Sequence, residues 1–174
     1  MNAEGLRETQ RPLKARYRED ADAALVTLAA QATLGEGVTC NVQTGRALAV
    51  AGLHPASGGD GSALCSGDML LEALAACAGV TMRAVATSLS IPVEGRVIAE
   101  GELDFRGTLA IDSAAPVGFR AIRLRFDLDT DAADATIAKL IELTERYCVV
   151  LQTLAGAPVL SVDWSRTARS PTPS

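Results

Sequence analysis

The sequence predicts an α+β fold, with antiparallel sheets around two central helices. Three observations carry that expectation. Apolar and polar side chains alternate through Val38-Thr-Cys-Asn-Val42 and Ala47-Leu-Ala-Val50, and again across 93–128. From Asp68 to about Leu89 there is no proline and a single glycine. A second stretch, from about Thr130 to Leu154, repeats its apolar positions at helical spacing. Period two marks a half-buried strand, and a period near 3.6 marks an amphipathic helix.

Residues 1–18 are polar and basic, with Arg7, Arg11, Lys14, Arg16 and Arg18. They read as an arm whose order depends on what it packs against. Residues 19–165 form a single domain. Its opening stretch, Ala24 to Leu34, is alanine-rich, but Gly35 and Gly37 follow closely, so an antiparallel meander is favoured over a helix. Turns are expected at Gly35-Glu-Gly37 and Thr44-Gly45, and a glycine-rich loop from His54-Pro55 to Gly61 leads into the first helix.

In that helix Leu71, Ala75, Ala78, Met82, Val85 and Leu89 make one stripe, and Leu70, Leu74, Cys77 and Thr81 its neighbour. Few charges interrupt it, so it is expected to be central, with Cys77 shielded from bulk water. Pro92 ends it. Val93 to Leu109 reads as one long strand, Gly107 to Gly118 as a connection, and Ile122, Leu124, Phe126 and Leu128 as the inward face of another strand. The second helix is expected to start at Thr130 or Asp131, whose side-chain oxygens can cap it. Ile137, Ile141, Thr144, Cys148 and Leu151 form its inward stripe. Gly156 and Pro158 stop it, Val159-Leu-Ser-Val162 reads as a last short strand, and 166–174 as a disordered tail.

With 174 residues and 48% hydrophobic content, the chain can bury one core of ordinary size. Its net charge of −5 and the lack of a basic run argue against a nucleic-acid partner. The charged N-terminal sequence lacks the apolar stretch of a signal peptide, and no uninterrupted apolar run reaches membrane-spanning length. A soluble, cytoplasmic protein without a membrane partner is expected. Four cysteines, at 40, 65, 77 and 148, are too few and too unevenly spaced for a disulfide scaffold. In a reducing compartment any disulfide would be transient. One histidine, His54, and no Cys-x-x-Cys pair give no basis for a metal site or a Ser-His-Asp triad, and no cofactor is called for. Gly58-Gly-Asp-Gly61 matches no phosphate-loop pattern and reads as a turn.

Cys77 and Cys148 are the candidates for chemistry. Each ends a distinctive segment, Asp68-Met-Leu-Leu-Glu-Ala-Leu-Ala-Ala-Cys77 and Leu143-Thr-Glu-Arg-Tyr-Cys148, the latter continuing as Val-Val-Leu-Gln-Thr-Leu154. A cysteine on an apolar helix face is most often a small buried hydrophobe. Small neighbours Ala73, Ala76, Ala78 and Gly79 would leave room near Cys77 for another backbone or a small substrate. Cys65, just before the helix, lies where a helix terminus can lower a thiol pKa, but a helical rise of about 13 Å from Asp68 to Cys77 separates the two thiols. Cys40 reads as core.

The two cysteine segments in this order, with the Gly-Gly-Asp-Gly lead-in, resemble the OsmC/Ohr family of osmotically induced and organic hydroperoxide resistance proteins over about Gly58 to Val162. The resemblance implies an OsmC-like fold, an intertwined homodimer and a reactive-cysteine site near the subunit interface. It implies a two-cysteine peroxidase that reduces organic hydroperoxides in oxidative stress defence, with Cys77 as nucleophile and Cys148 as resolving thiol. It further implies an external dithiol reductant, lipoyl-type or another small dithiol. Family peroxidases carry a glutamate near the start of the first cysteine helix, where this chain has Ser66-Gly67-Asp68, so Asp68 is the candidate heir. They also use an arginine from the N-terminal strands, with no clear counterpart here: Arg46 is far from Cys77 in sequence, and His54 or Ser57 fall nearer the expected place. Arg146 is a second candidate charge, although two residues along a helix put it on a different side from Cys148. Those departures keep two alternatives open: a non-enzymatic redox-responsive or small-ligand-binding protein of the same fold, and an oligomer whose cysteines merely pack.

Overall fold

The computed structural model describes residues 2–19, 31–34, 39–44 and 47–166. The basic arm is helical: α1 spans Ala3–Glu19 and packs along the first cysteine helix. Asn2 caps it, its side-chain oxygen accepting the Gly5 N–H at 2.9 Å.

The expected meander is present as β1 (Gln31–Leu34), β2 (Thr39–Thr44) and β3 (Ala47–Gly52), paired antiparallel in that order. The expected turns through Gly35-Glu-Gly37 and at Gly45, and the stretch 24–30, lie outside the described residues. One pairing departs from the antiparallel pattern. The two-residue β4 (Leu64–Cys65) joins β3 in parallel, and this links the sheet directly to the start of α2 (Ser66–Leu89). Cys40 lies in β2 opposite Leu34 and Ala51. The expectation that its side chain is core lies outside what is described.

α2 ends where Pro92 implied. Ser90 adopts the left-handed conformation (φ 56°), its N–H reaches the Ala86 and Thr87 carbonyls, and the Ile91 N–H returns to Ala86 at 2.9 Å. By length and composition alone α2 could cross a membrane. Here it is a packed element, laid against the second sheet and the second cysteine segment.

That second sheet is an antiparallel pair, β5 (Glu94–Leu103) and β6 (Phe119–Asp129). The strand expected to run to Leu109 stops at Leu103. Asp104 accepts the Arg106 N–H at 3.1 Å and grips its guanidinium, capping a helical turn, α3 (Phe105–Thr108), while the Phe105 ring stacks on His54 at 5.0 Å. Local capping and a ring contact override the apolar alternation. Along β6 the side chains sort as the alternation predicted. Ile122, Leu124, Phe126 and Leu128 turn to the core, while Arg123, Arg125 and Asp127 join Arg96, Glu100 and Glu102 in an exposed ionic ladder.

The core has two adjoining parts on the buried face of α2. Met82, Ala86, Val93 and Leu140 form one, and Leu74, Ala78 and Cys148 the other. The second helix, α4 (Asp134–Tyr147), starts later than Thr130 or Asp131. Thr130 is engaged elsewhere, donating to the Pro92 carbonyl at 2.6 Å and accepting the Ala132 N–H at 3.2 Å, so it ties the strand ends together instead of capping. The stripe expected to run unbroken through Cys148 is interrupted there. Cys148 is extended (φ −73°, ψ 105°) and a separate helix, α5 (Val149–Ala155), follows. The last expected strand does not form within this chain. Residues 157–166 have no regular structure, and Val159, Leu160 and Val162 are almost wholly exposed. Of the expected disordered tail only Arg166 is described.

Candidate functional site

The site is built by the break between α4 and α5. In a continuous helix the Val149 and Val150 amides would bond the carbonyls of residues 145 and 146, four positions back. Here the Gln152 side chain reaches back and donates to the Glu145 carbonyl at 2.9 Å. α5 starts afresh as the Gln152 N–H bonds the Cys148 carbonyl at 2.9 Å. The two freed amides turn to Cys77, which presents its sulfur from α2, with α5 packed against that helix.

Cys148 is fully buried with Leu74 and Ala78, and Cys77 borders the same cluster, half-buried. The two thiols are neighbours in that cluster, and each shifts the ionisation of the other. Burial pushes Cys77 up, but the Val150 N–H, the Cys148 thiol, the Val149 N–H and the Thr81 hydroxyl together hold it below the ordinary thiol value. Donors that favour the charged form lower an acid's pKa. Burial pushes Cys148 up, and its neighbour Cys77 adds to the rise against the opposing Leu151 and Val150 N–H groups. The pair is therefore asymmetric: Cys77 is the one that becomes thiolate, and thiolate is the nucleophilic form of sulfur.

Cys77 and Cys148 are thus brought together, while Asp68 and Arg146 are elsewhere. Asp68 is exposed in the first turn of α2, nine residues before Cys77. Nine residues are two and a half turns, about 13 Å of rise, which puts Asp68 on the opposite side of the helix. Arg146 is exposed with its guanidinium over the Tyr147 ring, 5.6 Å from the centroid. The influences that lower Cys77 against its burial are all neutral donors, so the stabiliser that an arginine would supply is replaced here by two amides, a thiol and a hydroxyl. Arg46 lies outside the described residues. His54 accepts the Ala56 N–H through Nδ1 at 3.0 Å and stacks on Phe105, a loop-ordering role. The Ser57 hydroxyl donates to the His54 carbonyl at 2.9 Å. Cys65 precedes α2 beside Gly67, in the position of a helix cap without making a capping bond. Among the described residues no cluster of His, Cys, Asp or Glu could hold a metal.

Sequence reasoning missed the Val149 and Val150 amides and Gln152. Thr81 was placed on the face of Cys77, and its i, i+4 spacing was the available signal for a contact.

The OsmC-like protein family model matches residues 59–163. The chain belongs to that family. Among solved structures it is similar to an OsmC-like protein from Mycoplasma pneumoniae, with a TM-score of 0.65 and 18% identity, covering 76% of this chain and 89% of that one. It is also similar to an organic hydroperoxide resistance protein OsmC from Legionella pneumophila (TM-score 0.55, 19% identity, 76% and 91% covered). The organic hydroperoxide resistance protein OhrB of Bacillus subtilis matches with a TM-score of 0.52 and 16% identity, covering 76% and 93%. No curated protein gives a significant match. At these identities the likeness establishes the OsmC-like α+β fold.

Proposed function

We propose that this OsmC-family protein is a thiol-dependent peroxidase that reduces organic hydroperoxides through Cys77 and Cys148. The observation that carries the reading is the asymmetric thiol pair, one sulfur lowered toward thiolate by four neutral donors and the other buried against it. The Cys77 thiolate attacks the terminal oxygen of the hydroperoxide, the O–O bond breaks, and the products are a Cys77 sulfenic acid and an alkoxide that takes up a proton and leaves as the alcohol. The Cys148 sulfur then attacks the sulfenic acid, releasing water and closing a disulfide. An external dithiol, for which a lipoyl-type carrier is the candidate, returns both cysteines to thiols. The net reaction is hydroperoxide plus dithiol to alcohol, water and disulfide. A reducing cytoplasm suits a disulfide that must reopen each cycle.

The same reading includes a homodimer. It is supported by the apolar tail: Val159, Leu160, Val162 and Trp164 are almost wholly exposed. A contiguous exposed apolar segment of this kind marks an interaction surface. Analytical ultracentrifugation of the full chain and of a chain ending at Ala157 tests it, with a dimer expected for the first and a monomer for the second.

A second reading keeps the fold without turnover, as a redox-responsive or ligand-binding protein. The placement of Asp68 and Arg146 away from Cys77 favours it. The deciding experiment is mass mapping of the reduced protein after one equivalent of cumene hydroperoxide. A Cys77–Cys148 disulfide, replaced by a sulfenic acid on Cys77 in Cys148→Ser, supports the peroxidase. Unreactive thiols would leave the second reading.

A further inference from the structure

A disulfide between Cys77 and Cys148 has two ends, and an incoming thiolate can bond to either sulfur. Which end it takes depends on access and on how readily the other sulfur leaves. The two criteria disagree here. Leaving-group acidity favours attack at Cys148, because that releases Cys77, which neutral donors hold below the ordinary thiol value in spite of its burial. Attack at Cys77 releases Cys148, which burial pushes up. Access favours Cys77, and access is the stricter criterion, since a poor leaving group slows exchange whereas a closed path stops it. Cys148 has no exposed surface: Leu74 and Ala78 of α2 are buried with it, and Ile122, Leu124 and Phe126 of β6 pack against the same cluster. A thiolate must approach in line with the S–S bond, so it would reach Cys148 only from the side opposite Cys77, through that packing. Cys77 is half-buried at the border of the cluster. Val80, three residues along α2, and Val149, whose N–H acts on Cys77, are 71% and 69% exposed, so solvent reaches the surface round this sulfur.

We propose that Cys77 is also the sulfur at which the oxidised protein is reduced, and that Cys148 exchanges only with Cys77. A thiolate of the dithiol bonds to the Cys77 sulfur, the S–S bond breaks, and Cys148 leaves and takes up a proton. The second thiol of the reductant then gives up its proton and attacks the reductant's own sulfur in the mixed disulfide. Cys77 departs as thiolate, the dithiol closes to a cyclic disulfide, and two electrons have passed to the protein. One sulfur therefore meets both substrates in turn, hydroperoxide and reductant. The inference deepens the peroxidase reading and rests on it for the place of the disulfide in turnover. It also separates the two exchange steps by rate: the opening step expels the raised thiol and is the slower, and the second expels the lowered one and is the faster.

Closing the pair with diamide frees the test from hydroperoxide chemistry. The oxidised full chain is mixed with mercaptoethanol, a monothiol with no second thiol to displace its own mixed disulfide, then quenched in acid and peptide-mapped by mass spectrometry. The adduct is expected on Cys77, with Cys148 free. Single variants answer the same question where re-closure by Cys148 keeps that adduct scarce: cystamine should modify Cys77 in Cys148→Ser and leave Cys148 free in Cys77→Ser over the same period. An adduct on Cys148 in the wild type, modification of Cys148 in Cys77→Ser as fast as that of Cys77 in Cys148→Ser, or no Cys77–Cys148 disulfide with diamide would each overturn the proposal. Failure of the peroxidase reading shows separately, as a pair that diamide closes and mercaptoethanol opens at Cys77, but that cumene hydroperoxide leaves reduced.

Discussion

Cys77 and Cys148 share one apolar cluster, yet their environments push their thiols in opposite directions. Cys77 sits within an unbroken 24-residue helix, and Cys148 sits at the point where a helix breaks. The break matters to the other residue: it releases the Val149 and Val150 amides, both of which act on Cys77, while only Val150 also acts on Cys148. Burial alone would push both thiols up, so the difference between the two sulfurs is set by how many neutral donors act on each.

Removing one partner and then the other is the strongest way to break this comparison. Cys77→Ser should reduce dithiol-dependent hydroperoxide consumption to the background rate. Cys148→Ser should consume about one equivalent and stop, with a sulfenic acid on Cys77 trapped by dimedone and seen by mass spectrometry. If the two variants behaved alike, the assigned asymmetry would be wrong.

The scaffold beneath the pair is next in size. Leu140 is fully buried against Met82, Ala86 and Val93, where α4 meets α2. Leu140→Ala should cost about 2–5 kcal/mol in chemical denaturation. Its effect on Cys77 alkylation, measured below the unfolding transition, should be small, because the donors to Cys77 come from α5 and Thr81.

The pH dependence sharpens the same contrast. Iodoacetamide alkylation of Cys77 should rise with pH to a midpoint below the ordinary thiol value, and Thr81→Val should move that midpoint up while Thr81→Ser restores it. The sign for stability follows. A lowered native pKa at Cys77 contributes stability that is present above the unfolded thiol value and lost as pH falls through the native one. The raised pKa of Cys148 works the other way, favouring the fold below the unfolded value and fading as pH rises through the native one. A Cys77 midpoint at or above the ordinary value would contradict the neutral-donor account.

Much of this was legible in the sequence because it rests on periodicity. The two helical stripes, the alternation of Ile122, Leu124, Phe126 and Leu128, and the stop at Pro92 all follow from spacing that burial imposes. The errors fall where a single side chain redirects the backbone. Asp104 ends β5 early by holding Arg106, and Thr130 binds Pro92 instead of capping α4. The break at Cys148 has no glycine or proline to announce it, and its one accomplice is a glutamine seven residues from the carbonyl it satisfies. Asp68 was a reasonable heir by sequence position, and the helix turns it to the far side.

Gln152 gives the smallest predicted effect and the most specific test of the break. Its amide holds the Glu145 carbonyl in place of the Val149 N–H. Gln152→Met keeps length and helix preference but removes the donor, so the carbonyl must either turn to water or recapture that N–H. Gln152 is exposed, so water can take over much of the bond, and the loss should lie near the low end of the usual 0.5–1.5 kcal/mol for a protein hydrogen bond. If part of that appears as Val149 turning back into helix, the Cys77 alkylation midpoint should rise by about a few tenths of a unit, one unit corresponding to about 1.4 kcal/mol. Asp68→Asn and Arg146→Ala, which remove full charges far from the sulfur, should move it less. A larger shift from either charge variant than from Gln152→Met would mean that long-range electrostatics, and not the two freed amides, sets the difference between the thiols.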